Sequence, residues 1–110
     1  MRKRIYVAGP ITKGDYPQNI RNAIDAGVKL LDLGYSPFIP HLDFVMLMVH
    51  PMSFEYLLEW DKDWLIVCSA VLRLPGESRG ADIEEAFAQE NAIPVYYSLS
   101  ELVKGDGFDF

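Results

Sequence analysis

The sequence predicts an α/β fold with a mostly parallel sheet of four to five strands. Short β-rich runs alternate with segments of helical periodicity along the chain, and this alternation is typical of a parallel sheet covered on both faces by helices. Half of the 110 residues are hydrophobic, which suits one compact core. We therefore expect residues 1–110 to form a single domain.

Predicted strands and helices follow one another in turn. Runs rich in β-branched and other apolar residues predict strands over residues 4–8, 35–39, 70–74 and 93–97. Apolar residues at helical spacing predict helices over residues 19–33, 53–68, 80–91 and 98–103. The first strand, its loop and its helix form the first half of a βαβ unit.

Residues 41–52 form an unusually apolar segment without a clean period. It contains Leu42 and the continuous run 44–49, FVMLMV. If exposed, the segment would cover a substrate or contact another subunit, since large apolar patches seldom stay bare. The alternative is a short buried helix, and the sequence favours neither.

The acidic balance of the chain argues against a nucleic-acid polymer as partner. The net charge is −6 and the sequence pI is about 4.7, whereas nucleic-acid binders concentrate Lys and Arg on one face. The basic start is followed by only five residues, IYVAG, before Pro10, too few for a signal-peptide core. No stretch approaches the length of a membrane span. We expect a cytoplasmic protein with no membrane partner.

Cysteine and histidine give no sign of a metal centre. Cys68 is the sole cysteine, so an intrachain disulfide and a cysteine-based metal cluster are excluded. His41 and His50 are nine residues apart, which is not the helical spacing of a zinc-binding pair. We expect neither a metal nor a cofactor.

Asp61 is an acid in the middle of an apolar helix face. On a helical wheel of about 100° per residue, five apolar residues of the predicted helix lie within roughly 60° of it: Phe54, Leu57, Leu58, Leu65 and Cys68. Burying an ionised carboxylate costs several kcal/mol unless it is paired or hydrated. We therefore expect a raised pKa, which would let Asp61 hold a proton for a leaving group.

Glu84 is the second such acid. The same projection places it between Ala81, Phe87 and Ala88 on the inward face of the next helix. It also lies near the start of that helix, where the macrodipole and the free N–H groups favour a negative charge. We expect Glu84 to be ionised, as a nucleophile must be.

The two acids flank the carboxyl end of one predicted strand, where open parallel sheets bind ligands. Two carboxyls in different environments are typical of glycosidic bond cleavage through an oxocarbenium-like transition state. Each acid has a purely structural alternative, as the buried partner of an arginine or as a backbone-capping group.

The turn of residues 75–80, PGESRG, predicts an anion site. It offers backbone N–H groups, a hydroxyl and a guanidinium at a helix N-terminus, and it is neither a Walker A loop nor a dinucleotide fingerprint. A 5′-phosphate would fit there. The alternative is a tight turn in which Ser78 caps the helix.

Three motifs together resemble the nucleoside 2-deoxyribosyltransferase-like family, especially its short members. They are residues 5–10 (IYVAGP), Trp60-Asp61 ahead of residues 68–71 (CSAV), and residues 74–84 (LPGESRGADIE). The likeness covers nearly the whole chain. It implies a flavodoxin-like (Rossmann-like) three-layer sandwich and an enzyme that takes a small deoxynucleoside or deoxynucleotide as its substrate.

The resemblance also assigns roles to residues. Glu84 would attack the anomeric carbon of the deoxyribose, Tyr6 would orient Glu84, and Asp61 would contact and protonate the base. Ser78 stands where the family has a second aspartate in its site. A serine at this position resembles the related deoxynucleoside-monophosphate N-hydrolases, which bind a 5′-phosphate with this turn and the loop after the first strand. The expected substrate-binding residues are Gly9, Pro10, Ser78, Arg79 and Gly80.

The sequence is compatible with several functions and assemblies. Base exchange and hydrolysis are both compatible with these residues, and the rivals are a non-catalytic nucleotide-binding module and a ribonucleotide phosphoribohydrolase. The resemblance implies a homodimer or higher homo-oligomer in which a C-terminal residue, Tyr97 or Ser98, completes a neighbour's site. Phe108 and Phe110 at the C-terminus could dock on a neighbouring subunit.

Overall fold

The computed structural model describes residues 1–106. Its strands are β1 (Arg4–Ala8), β2 (Ser36–Phe38), β3 (Ala70–Arg73) and β4 (Val95–Tyr96). Its α-helices are α1 (Tyr16–Asp32), α2 (Phe44–Val49), α3 (Phe54–Leu65), α4 (Arg79–Glu90) and α5 (Leu99–Gly105). A 3-10 turn, Pro40–Asp43, leads into α2. Phe108 and Phe110 lie outside the described residues.

The sheet is parallel throughout, with the strand order β2-β1-β3-β4. Ile5 of β1 stands opposite Pro37 on one side and Ala70 on the other. This is the order of a flavodoxin-like sheet, which places β1 and β3 next to each other at its centre. The predicted α/β class and parallel sheet are confirmed, with four strands in residues 1–106.

Alternate side chains of the strands enter two cores on opposite faces of the sheet. On one face, β1 and β3 pack against α1 and α5 through residues such as Ile5, Leu30 and Leu102. On the other face, Tyr6 belongs to a cluster with Leu65 of α3, and residues of α4 complete it. Helices α3 and α4, which carry Asp61 and Glu84, therefore cover the same face.

The first helix begins three residues earlier than its apolar pattern predicts. Asp15 caps it by accepting a hydrogen bond from the Gln18 backbone N–H at 3.0 Å. Pro17 occupies the first turn, where a proline needs no hydrogen-bonded N–H. Pro17 is therefore part of the helix, although it lies outside the predicted range 19–33.

The apolar segment 41–52 is helical but not buried. None of the side chains of α2 is buried, and Val45, Met48 and Val49 are 67%, 85% and 69% exposed. The expectation of a short buried helix is therefore wrong, because α2 packs chiefly against the 3-10 turn that precedes it and contributes to neither core. The remaining interpretation is that this segment covers a substrate or contacts another subunit.

Within residues 1–106, no helix is both long and apolar enough to cross a membrane.

Candidate active site

A cavity of about 330 Å³ opens at the carboxyl ends of the central strands, the place where parallel α/β sheets bind ligands. Its walls come from the first loop (residues 9–15), the segment around Asp43, the inner side of α3 and the first half of α4. Six of the eight predicted site residues line it: Gly9, Asp61, Ser78, Arg79, Gly80 and Glu84. Tyr6 and Pro10 do not.

Tyr6 lies beneath the cavity and donates a hydrogen bond from its hydroxyl to Glu84 Oε2. The tyrosine is fully buried and Glu84 is 6% exposed. The ring of Tyr6 stacks on Phe38, with centroids 5.5 Å apart, and Phe38 stacks in turn on Trp64. Strand β1 and this aromatic stack hold the hydroxyl in place, so Glu84 is fixed where it meets the cavity.

The protonation of Glu84 differs from the expectation. Burial raises its pKa to about 7, while the Tyr6 hydrogen bond and the positive charge of Arg73 act in the opposite direction. Glu84 lies in the second turn of α4, which begins at Arg79, beyond the free N–H groups of the helix end. The helix N-terminus therefore does not keep this carboxyl fully ionised at neutral pH.

Asp61 faces the same cavity from α3 and retains its proton more strongly. Burial raises its pKa to about 9, and a hydrogen bond with Asp43 together with the negative charges of Glu84 and Asp43 acts in the same direction. This direction agrees with the expectation from the apolar helix face. The site therefore contains an acid and a base of different strength.

Asp43 was not among the predicted site residues. It lines the cavity from the end of the 3-10 turn, and burial raises its pKa as well. The available signal was an acid at the start of an apolar segment that follows a strand. Because that segment has no helical or strand period, no projection could show which way Asp43 faces.

Arg73 was also missed. Its guanidinium, at the end of β3, donates hydrogen bonds to the carbonyls of Leu74 and Gly76 and contacts Asp82 at 3.1 Å. It is only 9% exposed. The signal in the sequence was a charged residue within the third predicted strand, residues 70–74. The side chain ties the 75–80 turn to the sheet and places a positive charge near Glu84.

The 75–80 turn forms the outer wall of the cavity. Ser78 Oγ accepts a hydrogen bond from the Ala81 backbone N–H at 3.1 Å, so its capping role is confirmed. The Arg79 guanidinium lies over the Phe54 ring, 5.3 Å from the centroid. Lys13 of the first loop pairs with Glu77 at 2.9 Å. Two cations, Lys13 and Arg79, thus line the cavity.

Pro10 does not line the cavity, and its expected role in binding stays a prediction. Its carbonyl accepts a hydrogen bond from His41 Nε2 at 3.0 Å, and a Cβ at Gly76 would come within 2.7 Å of its ring. Gly9 beside it does line the cavity, where a Cβ would meet Leu74 at 2.9 Å. The first loop is therefore packed against the end of β3 and the 75–80 turn.

The C-terminal residues expected to complete a neighbour's site lie away from the cavity of their own chain. Ser98 caps α5 by accepting a hydrogen bond from the Glu101 backbone N–H at 3.1 Å. Tyr97 is 55% exposed, and its hydroxyl is hydrogen-bonded to Glu85, which raises its pKa. A role of either residue in a second subunit stays a prediction.

Fold and site together define a flavodoxin-like α/β protein with a carboxyl-lined cavity at the ends of its central strands. Residues 3–97 match the family model described as "Domain of unknown function (DUF4406)", and the chain belongs to this family. No curated protein matches the sequence.

A solved structure similar to this chain is that of a 2-deoxyribosyltransferase from the psychrotolerant bacterium Bacillus psychrosaccharolyticus. The two are 20% identical, with a TM-score of 0.64 over 84% of this chain and 69% of the other. At this level of identity the likeness shows a shared fold.

Proposed function

We propose that this protein cleaves the N-glycosidic bond of a 2′-deoxynucleoside or 2′-deoxynucleoside 5′-monophosphate through a covalent glycosyl-enzyme. The observation that carries the proposal is the hydrogen bond from Tyr6 to Glu84 at a cavity that also contains Asp61, an acid whose pKa is raised by burial. Further support comes from the fold, which is shared with a 2-deoxyribosyltransferase.

In the first step, an ionised Glu84 oxygen attacks the anomeric carbon as the bond to the base breaks. Asp61 gives its proton to the departing base, because an acid with a pKa of about 9 is largely protonated at neutral pH. The buried Glu84, with a pKa of about 7, is ionised in a substantial fraction of molecules. Tyr6 fixes the carboxylate in the orientation of attack.

In the second step, the ester at Glu84 is broken by a second nucleophile. Water gives the free sugar, and a second base gives an exchanged nucleoside. Both outcomes regenerate the Glu84 carboxylate. The residues that line the cavity are compatible with either, so the product has to be measured.

The substrate would lie with its phosphate or 5′-hydroxyl towards the 75–80 turn and its base towards α3. Lys13 and Arg79 supply positive charge on the first side, and the N-terminus of α4 adds backbone N–H groups. Phe44, Leu57 and Leu58 line the cavity as well and offer apolar contacts for a base. The two cations favour a monophosphate over a plain nucleoside.

The test is chromatography of the products after incubation with the four deoxynucleosides and their four monophosphates, with and without a second base. Base release should occur with at least one substrate and fall by about 10³-fold or more in Glu84→Gln, because loss of the nucleophile removes the covalent route. Glu90→Gln, at the exposed end of the same helix, is the matched control. Wild-type rates in Glu84→Gln would contradict the proposal.

The same experiment separates the rival functions. Free base alone indicates a hydrolase, and exchanged nucleoside indicates a transferase. Binding without release of any base would favour a nucleotide-binding module. Ribonucleosides and ribonucleotides in parallel would reveal a phosphoribohydrolase.

A further inference from the structure

Two carboxyl oxygens in the cavity wall have no conventional hydrogen-bond donor. Asp43 Oδ2 and Asp61 Oδ1 are both buried, and residues 1–106 offer neither of them a partner N–H or O–H group. The two side chains come from different elements, the 3-10 turn and α3, and both line the cavity. We call Asp43 and Asp61 the acid pair.

In the resting protein, the acid pair is stabilised by one shared proton. Two neighbouring half-buried carboxylates would repel each other, and neither forms an ion pair with a cation among the described residues. A proton held by one oxygen and accepted by the other satisfies both. The hydrogen bond between the two side chains raises the pKa of Asp61 and lowers that of Asp43, so the proton resides on Asp61.

The charged groups around the pair reinforce this arrangement. Glu84 faces it from α4 and Tyr6 from β1, and the negative charge of Glu84 raises the pKa of Asp61. Lys13 and Arg79 line the same cavity, but neither forms an ion pair with Asp43 or Asp61. No ion pair among the described residues therefore neutralises a second negative charge in the pair.

We propose that Asp43 is a positioning residue that acts through Asp61, accepting the hydrogen bond that keeps the proton of the acid pair in place for the leaving base. This inference rests on the proposed N-glycosidic cleavage. The inference goes beyond the role of Asp61 as proton donor, because the proton donor then depends on two side chains from separate elements.

The acid pair supplies the proton in the step that cleaves the bond to the base. The bond from the anomeric carbon to the base nitrogen breaks, its electron pair goes to the base, and a bond to Glu84 forms. The Asp61 proton moves to the base, so the acid pair carries two negative charges while Glu84 becomes a neutral ester. In hydrolysis, water attacks the anomeric carbon, gives its proton to the pair and releases Glu84 as a carboxylate.

The attack of Glu84 assists this proton transfer. The charge of ionised Glu84 is one of the interactions that hold the proton on Asp61. Ester formation removes that charge at the moment the base departs, which offsets part of the repulsion created within the pair. The nucleophile and the acid are therefore coupled through space.

The test compares two substrates that differ in their need for an acid. The base of 2′-deoxyguanosine 5′-monophosphate needs a proton to leave, whereas the cationic base of its 7-methyl derivative leaves without one. Asp43→Asn should slow the first substrate by about 10²-fold, within the usual range for general acid catalysis, and the second by less than about threefold. Asp63→Asn, on the exposed side of α3, should match the wild type on both.

Equal losses on the two substrates, or no loss on either, would overturn the proposal. If Asp43→Asn proves unstable, Asp43→Ser provides a second variant with the same two-substrate comparison. A merely structural role of Asp43 would slow both substrates together, so the ratio of the two rates is the informative readout.

A second measurement needs no turnover. Carbon-13 NMR titration of the aspartate carboxyls should show one proton shared by the acid pair above pH 7 in the wild type, and a lower midpoint for Asp61 in Asp43→Asn. Independent titration of both carboxyls near their ordinary values would overturn the inference. A shared proton in a protein that releases no base from any substrate would instead contradict the proposed function.

Discussion

At Glu84, burial and a hydrogen bond act in opposite directions on one carboxyl. Burial raises its pKa to about 7, and the Tyr6 hydroxyl limits the rise by stabilising the ionised form. Asp61 holds its proton up to about 9. Since catalysis needs Glu84 ionised and Asp61 protonated, kcat/KM should rise with pH through about 7 and fall above about 9.

Tyr6→Phe should move only the acid limb of this profile. Loss of the hydrogen bond raises the pKa of Glu84, so the acid limb shifts to higher pH and activity at pH 7 falls about tenfold or more, with partial recovery near pH 8.5. Because Tyr6 does not set the protonation of Asp61, the alkaline limb should stay in place. The measurement is kcat/KM from pH 5 to 10.

The control for this prediction is Tyr56→Phe, which removes a hydroxyl from the exposed face of α3 and should leave the profile unchanged. An unshifted acid limb in Tyr6→Phe would show that the hydrogen bond does not tune Glu84.

Individual site residues could be predicted where a local pattern points in one direction. Asp61 and Glu84 each interrupt a helical apolar face, which a projection of the sequence reveals. The role of Tyr6 was predicted only from the family resemblance, because the sequence alone does not distinguish a functional tyrosine in a buried strand from an ordinary core residue. Asp43 and Arg73 depend on tertiary contacts with α3 and the 75–80 turn, which no local periodicity encodes.

The element that defines the outer wall of the site is the 75–80 turn together with the first loop. Gly76 has a φ of +117°, a conformation that favours glycine, and Arg73 anchors the turn from behind through backbone carbonyls. The ion pair between Lys13 and Glu77 links the first loop to the turn. The turn is therefore held in one shape, with its cations at the mouth of the cavity.

Arg79→Gln and Lys13→Gln should weaken binding of monophosphates and leave nucleosides nearly unaffected. A hydrogen bond to a charged group is worth about 1.5–3 kcal/mol, so each variant should raise KM for a monophosphate by about tenfold or more, with less than about a twofold change for the matching nucleoside. Steady-state kinetics with both substrates measures this. Lys29→Gln, on α1 at the other face of the sheet, is the control.

Equal effects of these variants on nucleoside and monophosphate would contradict the assignment of the phosphate to this turn. A preference for plain nucleosides in the wild type would do the same.

Helix α2 is the element least explained by the fold of one chain. Its run of apolar side chains stays exposed beside the cavity, and soluble proteins seldom leave such patches uncovered. The expected homo-oligomer would supply a cover, and it stays a prediction.

At the scale of the whole molecule, the alternation of strands and helices was enough to predict the class of fold and the parallel sheet. The strand order β2-β1-β3-β4 could not be predicted from periodicity, because the pattern of single elements does not state which strands are neighbours. The segment 41–52 could not be placed, since its apolar residues fit both a short buried helix and an exposed segment that covers a substrate or contacts another subunit.

The central claim is that Glu84 carries the sugar during the reaction. Wild-type protein quenched with acid during turnover should show, by intact mass spectrometry, a fraction heavier by one deoxyribosyl or deoxyribosyl-phosphate unit, located by digestion on the peptide that contains Glu84. Glu84→Gln should show no such fraction. Base release by the wild type with no adduct at any quench time, or with an adduct on another residue, would contradict the account.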